Sequence, residues 1–111
     1  MKECLFCKMS QGQVHSEKIY QDDKIFVIRD IQPKAATHLL VIPHQHLSSL
    51  TEATSKDEPL LGYLLHYLPQ LAKAQQLSHG FRTVINTGQG AGQQIFHLHL
   101  HLLSEQNLTG F

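Results

Sequence analysis

The chain has 111 residues, and nine Lys and Arg balance nine Asp and Glu, so the formal net charge is zero and the pI is about 7.1. That length suits one domain, 1–111, with a modest core. The even charge excludes bulk attraction to nucleic acid or acidic membranes, and no apolar run is long enough for a membrane span. Nine histidines are far more than usual in so short a chain, and they make net charge sensitive to pH between about 5 and 8.

The first stretch, Met1 to Gly12, lacks the apolar segment of a signal peptide, which predicts an intracellular, cytoplasmic protein. The two cysteines, Cys4 and Cys7, are then expected to be reduced or metal-bound rather than bridged. A Cys-x-x-Cys pair is a redox motif, half a zinc site, or incidental. No strand precedes it, which counts against the redox reading, and zinc wants four ligands, so one pair alone says little. Leu5, Phe6 and Met9 predict a short helical turn with an apolar face.

Lys18 to Gln21, Asp22-Asp23 and Lys24 to Asp30 read as a hairpin with a polar turn. Ile25, Val27 and Arg29 face one way, Phe26, Ile28 and Asp30 the other. Pro33 marks a loop. His38 to Pro43 is almost continuously apolar, the mark of a central strand, and Pro43 ends it. His44 and His46 follow in a loop, and Leu47 to Ala53 reads as a short helix. Ser55 to Glu58 opens the main helix, with Pro59 in its first turn. Leu60, Leu61, Leu64, Leu65, Leu68, Leu71 and Ala72 recur at three- and four-residue steps, the pattern of a helix packed on a sheet. Pro69 predicts a kink or break, and Gly80 a stop. His66 and His79 read as surface residues. Arg82 to Thr87 is a fourth strand. Gly88, Gly90 and Gly92 follow in a loop framed by Asn86 and by Gln93-Gln94. The tail, Ser104 to Phe111, is polar.

That loop delivers the chain into His97-Leu98-His99-Leu100-His101-Leu102-Leu103, with Ile95 and Phe96 leading in. Alternation with period two predicts a strand whose histidines line one face and whose leucines line the other. Three imidazoles in register point to a metal site or to a phosphate site with a histidine nucleophile. The outer pair would lie about 14 Å apart at Cα, so the spacing favours a spread of roles over one three-histidine metal site. Alternate glycines let backbone amides turn toward an anion. An anion cradle beside imidazoles suggests phosphorus chemistry, with the central His99 as nucleophile and its neighbours donating to phosphate oxygens.

These residues together resemble the histidine triad (HIT) family. His97 to Leu103 matches its His-φ-His-φ-His-φ-φ signature, φ being apolar. Cys4-Leu5-Phe6-Cys7-Lys8, Asp30-Ile31-Gln32-Pro33 with Ala36-Thr37-His38, Ile42-Pro43 with His46, and Asn86-Thr87-Gly88 with Gly90 and Gly92 resemble its other blocks in order. The chain looks most like the nucleoside-phosphoramidase branch, the histidine triad nucleotide-binding proteins. The resemblance implies an α+β fold with a five-stranded antiparallel sheet and one main helix. Two subunits would pair into a ten-stranded sheet across the main helix and central strand of a homodimer. It implies a purine nucleoside monophosphate unit as ligand, carried on phosphoramidate or anhydride conjugates. Asp30 would hold the ribose, Leu5, Phe6, Ile28 and Ile31 would line the base pocket, and Asn86, Gly92 and Gln93 would lie along the phosphate. His99 would attack phosphorus, while His38 and His101 support the phosphate and orient the site. HIT relatives with two N-terminal cysteines imply a structural zinc on Cys4, Cys7, His46 and His97, with His44 a nearby competitor for His46.

Two departures stand out. Close relatives carry a serine that assists the leaving group where this chain has Gln94, and the residues after Leu103 lack their Gly-Gly and tryptophan. The alternatives are a dinucleoside polyphosphate hydrolase, a nucleotide-binding regulatory or scaffolding protein with vestigial hydrolysis, and a small zinc-binding protein whose histidines are only ligands.

Overall fold

Two consecutive apolar segments set the layers. In a computed structural model that describes residues 3–110, strands β2 (Ile25–Arg29) and β3 (Thr37–Pro43) are buried on both faces. Ile25, Val27, Leu39 and Val41 face helix α2 (Glu58–Ala74) and pack with its Leu64, Tyr67, Leu68 and Leu71. Phe26, Ile28, Leu40 and Ile42 face the other way and pack with Phe6 of helix α1 (Leu5–Ser10). The remaining strands are β1 (Tyr20–Gln21), β4 (Arg82–Val84) and β5 (Leu100–Ser104). They form one antiparallel sheet in the order β1-β2-β3-β5-β4, with β3 central as expected. This is the expected α+β fold. Met1, Lys2 and Phe111, the ends of the expected 1–111 domain, lie outside the described residues. Among the described residues no helix is long and apolar enough to cross a membrane.

Helix α1 is two turns long and owes its place to packing rather than propensity. Cys4 caps it, its sulfur accepting from the Cys7 N–H at 3.4 Å. Burying the Phe6 ring contributes about 2–3 kcal/mol. The hairpin turn is held by Asp22, whose Oδ1 accepts from the Lys24 and Ile25 amides at 2.8 and 2.9 Å. Its Oδ2 takes the Tyr20 and Tyr63 hydroxyls, which ties the turn to α2. Burial pushes the Asp22 carboxyl up, but the hydrogen bonds from Tyr63, the Ile25 and Lys24 amides and Tyr20 outweigh it and bring it down to about 2.

Several expected elements are shorter, for identifiable reasons. The histidine strand starts at Leu100, not at Ile95. Its pairing with β3 runs only from Thr37↔Ser104 to Val41↔Leu100. Farther along, β3 ends in Pro43, which has no N–H to offer, and the Leu98 N–H bonds instead to the Leu47 carbonyl at 2.6 Å. The alternation of faces still holds: Leu98, Leu100 and Leu102 join the α2-side core, while His97 and His99 pack edge-on against Phe6. Strand β1 begins at Tyr20 rather than Lys18, and β4 ends at Val84 rather than Thr87. The expected helix Leu47–Ala53 shrinks to a single 3-10 turn, Leu50–Glu52, capped by Ser49. In the segment before it, the Leu47 and Ser48 carbonyls are engaged instead by the Leu98 amide and the Gln93 side chain. The start expected at Ser55 is a 3-10 turn over Ser55–Asp57 with a Thr54 capping box.

Helix α2 runs unbroken through Pro69. Pro69 and Leu65 lie on its exposed side, where water can serve the carbonyl that the missing N–H leaves free. The helix ends at Ala74, capped by Gln75, rather than running to Gly80. Gln76 takes a left-handed φ of 59°, and the Gln76 and Leu77 amides close back on the Lys73 and Ala72 carbonyls. Gly80 instead turns the chain toward β4, its carbonyl accepting from the buried Ser104 hydroxyl.

Candidate functional site

The glycine loop is a closed ring. Gly88 and Gly92 take φ of 90° and 93°, values that exclude a β-carbon without strain. The Gly88 carbonyl accepts from Ala91 and Gln93 amides, and the Gly88 amide returns a bond to Gln93 Oε1 at 2.9 Å. Asn86 Nδ2 spans the ring to the Ala91 carbonyl at 2.8 Å. Gln93 Nε2 reaches Ser48 and Ile95 carbonyls at 2.7 and 3.0 Å. The expectation placed Gln93 along a phosphate; its side-chain donors are both spent inside the protein.

The wiring of the histidines follows from what their partners can do. A carbonyl only accepts, so His99 Nδ1, 2.7 Å from the His97 carbonyl, carries its proton and Nε2 keeps the lone pair. An amide N–H only donates, so His38 Nδ1, 3.1 Å from the Lys34 nitrogen, is the unprotonated one. Neutral His38 therefore holds its proton on Nε2 and donates it to His101 Nδ1 at 2.9 Å. His101 is left with an Nε2–H. Burial holds all three imidazoles below the usual histidine range. For His101, burial first and then the neighbouring His99 and His38 take the value down to about 4. At neutral pH the site thus offers one imidazole lone pair and one imidazole N–H. Asp30 Oδ2 lies 3.4 Å from His38 Nε2, and its Oδ1 accepts from the Gln32 amide.

A second cluster joins the N-terminal helix to the histidine run and to the loop after β3. Cys4, Cys7, His46 and His97 bring one ligand atom each within 4.8 Å of all the others. His97 is fully buried, and its Nε2–H donates to the Pro43 carbonyl at 2.8 Å, which leaves Nδ1 as the lone-pair nitrogen. Around that nitrogen stand Cys4 Sγ at 3.3 Å, Cys7 Sγ at 3.6 Å and His46 Nδ1 at 3.1 Å. One lone pair accepts one hydrogen bond, so three neighbours exceed what hydrogen bonding can serve. A tetrahedral zinc places two nitrogens about 3.3 Å apart and a sulfur and nitrogen about 3.6 Å apart, from its usual bond lengths. The Cys7 Sγ–His46 Nδ1 distance of 3.3 Å falls in the same range. The donor set and spacing fit zinc. His44, the competitor for His46, turns away: its Nδ1 meets Ser10 Oγ at 2.6 Å and its Nε2 the Asp22 carbonyl. Burial pushes the His97 imidazole down to about 4 and pushes the Cys7 thiol up.

Of the residues expected to line a base pocket, Phe6 and Ile28 pack against each other in the core, while Leu5 is partly exposed and Ile31 is 94 % exposed. Leu5 and Gln94 line one open cleft of ≈ 320 Å³ together with Glu3, Cys4, Ile95 and Phe96. Three contributors were not legible in the sequence: the Lys34 amide that sets His38, the Pro43 carbonyl that sets His97, and the Ser48 carbonyl that holds Gln93. All are backbone groups, which no residue type announces.

Residues 3–111 match the family model described as scavenger mRNA decapping enzyme C-term binding. Protein HitA of Neisseria gonorrhoeae is 43 % identical over 103 residues, 93 % of this chain and 96 % of that protein. A 14 kDa zinc-binding protein of Zea mays is 37 % identical over 107 residues, 95 % of this chain and 84 % of that protein. Among solved structures, a HIT family hydrolase from Legionella pneumophila Philadelphia 1 superposes with a TM-score of 0.92 at 41 % identity, covering 96 % of each chain. A histidine triad protein from Clostridium difficile superposes with a TM-score of 0.94 at 32 % identity, covering 100 % of this chain and 97 % of that one.

Proposed function

The chain belongs to the histidine triad (HIT) family, and from that premise we propose that it is a purine nucleotide-binding hydrolase. It cleaves the P–N bond, or a related P–O bond, of nucleoside 5′-phosphoramidates through a nucleotidyl-His99 intermediate. The observation that carries this reading is the His99 Nδ1 bond to the His97 carbonyl, which leaves Nε2 with its lone pair. A structural relative named as a HIT family hydrolase supports hydrolysis as the reaction class.

His99 Nε2 attacks phosphorus, the P–N bond breaks, and the amine departs. His101 Nε2–H, its tautomer set through His38, donates to a phosphoryl oxygen and spreads the charge that builds there. Water then attacks phosphorus, the P–Nε2 bond breaks, and the nucleoside monophosphate leaves with His99 restored. Asp30 holds the ribose and Leu5, Phe6, Ile28 and Ile31 border the base, with Asn86 and Gly92 along the phosphate. Gln94 stands at the leaving-group side. Its amide donates a hydrogen bond but is no useful acid, so a departing amine must take its proton from water. That favours a second reading, an anhydride substrate such as a dinucleoside polyphosphate, whose phosphate leaving group departs without a proton.

Cys4, Cys7, His46 and His97 would hold a structural zinc, a reading supported by their spacing and by the zinc-binding relative. A bound zinc would neutralise two thiolates and tie α1 to the histidine segment. The proposal extends to one HIT domain over 1–111, to a cytoplasmic setting that keeps the thiols reduced, and to a homodimer. Rapid quench and mass analysis on a panel of adenosine and guanosine phosphoramidates and dinucleoside polyphosphates tests the reading. A nucleotidyl adduct on His99 is expected; turnover with no adduct, or full turnover by His99→Ala, removes it.

A further inference from the structure

Gln93 is only 4 % exposed, and its amide is read without ambiguity. Two carbonyls, of Ser48 and Ile95, surround its nitrogen, and one N–H, of Gly88, faces its oxygen. Turning the amide over would set oxygen against two carbonyls. Both donors are therefore used, and an anion, which can only accept, has nothing left to take from this side chain. Main chain and side chain of Gln93 also act in opposite directions on one residue. Gln93 N donates to the Gly88 carbonyl, and Gly88 N donates to Gln93 Oε1. The two ends of the glycine loop are locked to each other across a 3-10 turn, Gln89–Ala91.

The far end of the brace matters as much. Ser48 follows Leu47, whose carbonyl holds the Leu98 amide, and His46 belongs to the cysteine–histidine cluster. The segment His46–Ser48 thus carries a ligand of that cluster, the support of the histidine run and the anchor of the glycine loop within three residues. Nothing in the sheet positions the loop, because β4 ends at Val84 and β5 begins only at Leu100.

We propose that Gln93 is a positioning residue: its side chain sets the glycine-loop backbone for a nucleotide phosphate without touching the nucleotide. The inference rests on the reading of this loop as a phosphate cradle. Its consequence is selective. A loop out of place weakens whatever the phosphate gains and leaves the nucleoside part alone.

The test is calorimetric titration of wild type and Gln93→Ala with AMP and with adenosine, joined to amide hydrogen exchange on the ligand-free proteins. AMP affinity is expected to fall about tenfold or more with adenosine affinity unchanged, and the Gly88 amide is expected to exchange about tenfold faster or more. Equal weakening of both ligands, unchanged AMP affinity, or weakened AMP with Gly88 exchange unaltered would each overturn the proposal, the last by making Gln93 a direct contact. Gln93→Glu keeps the acceptor for Gly88 but sets an oxygen against two carbonyls, and it should lose AMP affinity with the same selectivity. A measurement that needs no variant stands beside these. In wild type the Gln93 side-chain amide protons should be protected before ligand is added and should stay protected and unshifted at AMP saturation; fast exchange or a large shift on binding rejects the brace. Wild type that binds adenosine but gains nothing from the phosphate overturns the phosphate-cradle reading itself, a result distinct from any variant outcome.

Discussion

The Cys4–Cys7–His46–His97 cluster and the Asp30–His38–His101 cluster draw on the same histidine run, and each gathers its ligand atoms within 4.8 Å. By residue type either could be a metal site. They differ in what holds the second nitrogen of the leading histidine. His97 gives its Nε2 proton to the Pro43 carbonyl, so its inner nitrogen is a lone pair facing two sulfurs and another imidazole. His38 receives the Lys34 amide on Nδ1, so its inner nitrogen carries a proton and donates to His101. A lone pair among thiols invites a cation; an N–H directed at a second imidazole passes hydrogen-bond polarity onward and resists one. His99, between them, takes its setting from a third backbone group, the His97 carbonyl. Backbone partners, not residue identity, thus set which nitrogen of each like side chain carries the proton, and with it the proposed roles of ligand, nucleophile and donor.

The largest effect should come from the residue between the clusters. His99→Ala is expected to lower turnover by about three orders of magnitude or more while leaving AMP binding largely intact. Steady-state kinetics beside calorimetry checks both halves. Near-native turnover would take the nucleophile away from this position and erase the division of roles.

The next test separates the clusters directly. Protein purified without added metal is expected to carry about one zinc per chain, since a site of this type binds tightly at neutral pH. Cys4→Ser/Cys7→Ser should lose the zinc and melt about 10 °C lower or more, with a smaller loss of turnover than His99→Ala. His38→Ala should keep the zinc. Elemental analysis of the three proteins decides it: zinc lost from His38→Ala, or retained in the double serine variant, would contradict the opposite wiring of the two sites.

The fold was legible where side chains alternate or repeat. The faces of β2 and β3, the helical stripe of α2 and the leucine–histidine alternation all follow from period, and period survives in the structure. Lengths were less legible, because they depend on partners. His97 reads as strand, yet lies outside it, because the next residue, Leu98, falls opposite Pro43 in the register and its amide is drawn to the Leu47 carbonyl instead. Gly80 looked like the helix stop, while Gln76 takes the left-handed position at a cost that the Lys73 and Ala72 carbonyl bonds offset. The grouping of Cys4, Cys7, His46 and His97, and that of Asp30, His38 and His101, were legible through family resemblance. The assignment of nitrogens to tasks was not, since it rests on backbone groups of Lys34, Pro43 and His97 that only the folded chain brings near.

A smaller effect concerns the leaving-group side. If Gln94 supplies no proton, turnover should fall steeply as the departing amine becomes more basic, and Gln94→Ser should flatten that dependence by restoring a hydroxyl relay. A series of phosphoramidates with graded amines gives the two slopes. Identical slopes would leave proton supply to the His38–His101 pair and enlarge its role.

The smallest expected effect sharpens the comparison through pH. Burial, then the nearby His99 and His38, hold His101 at about 4 in the folded chain, against about 6.5 when unfolded. Between those values the unfolded chain binds the proton and the folded chain does not, so stability contributed by neutral His101 is complete above about pH 6.5 and is lost as pH falls toward 4. Melting temperature should therefore slope downward through this window. His101→Gln, which cannot titrate, should remove part of the slope, by about a few degrees between the ends. The measurement belongs on zinc-loaded protein with free zinc held constant, because acid also competes for the ligands of the other cluster. In that case the zinc-linked loss is common to wild type and variant, and only their difference reports His101. A difference that is flat from pH 7 to 4 would mean His101 protonates as readily folded as unfolded, and the Asp30–His38–His101 cluster would then be an open, solvated group rather than a buried donor relay.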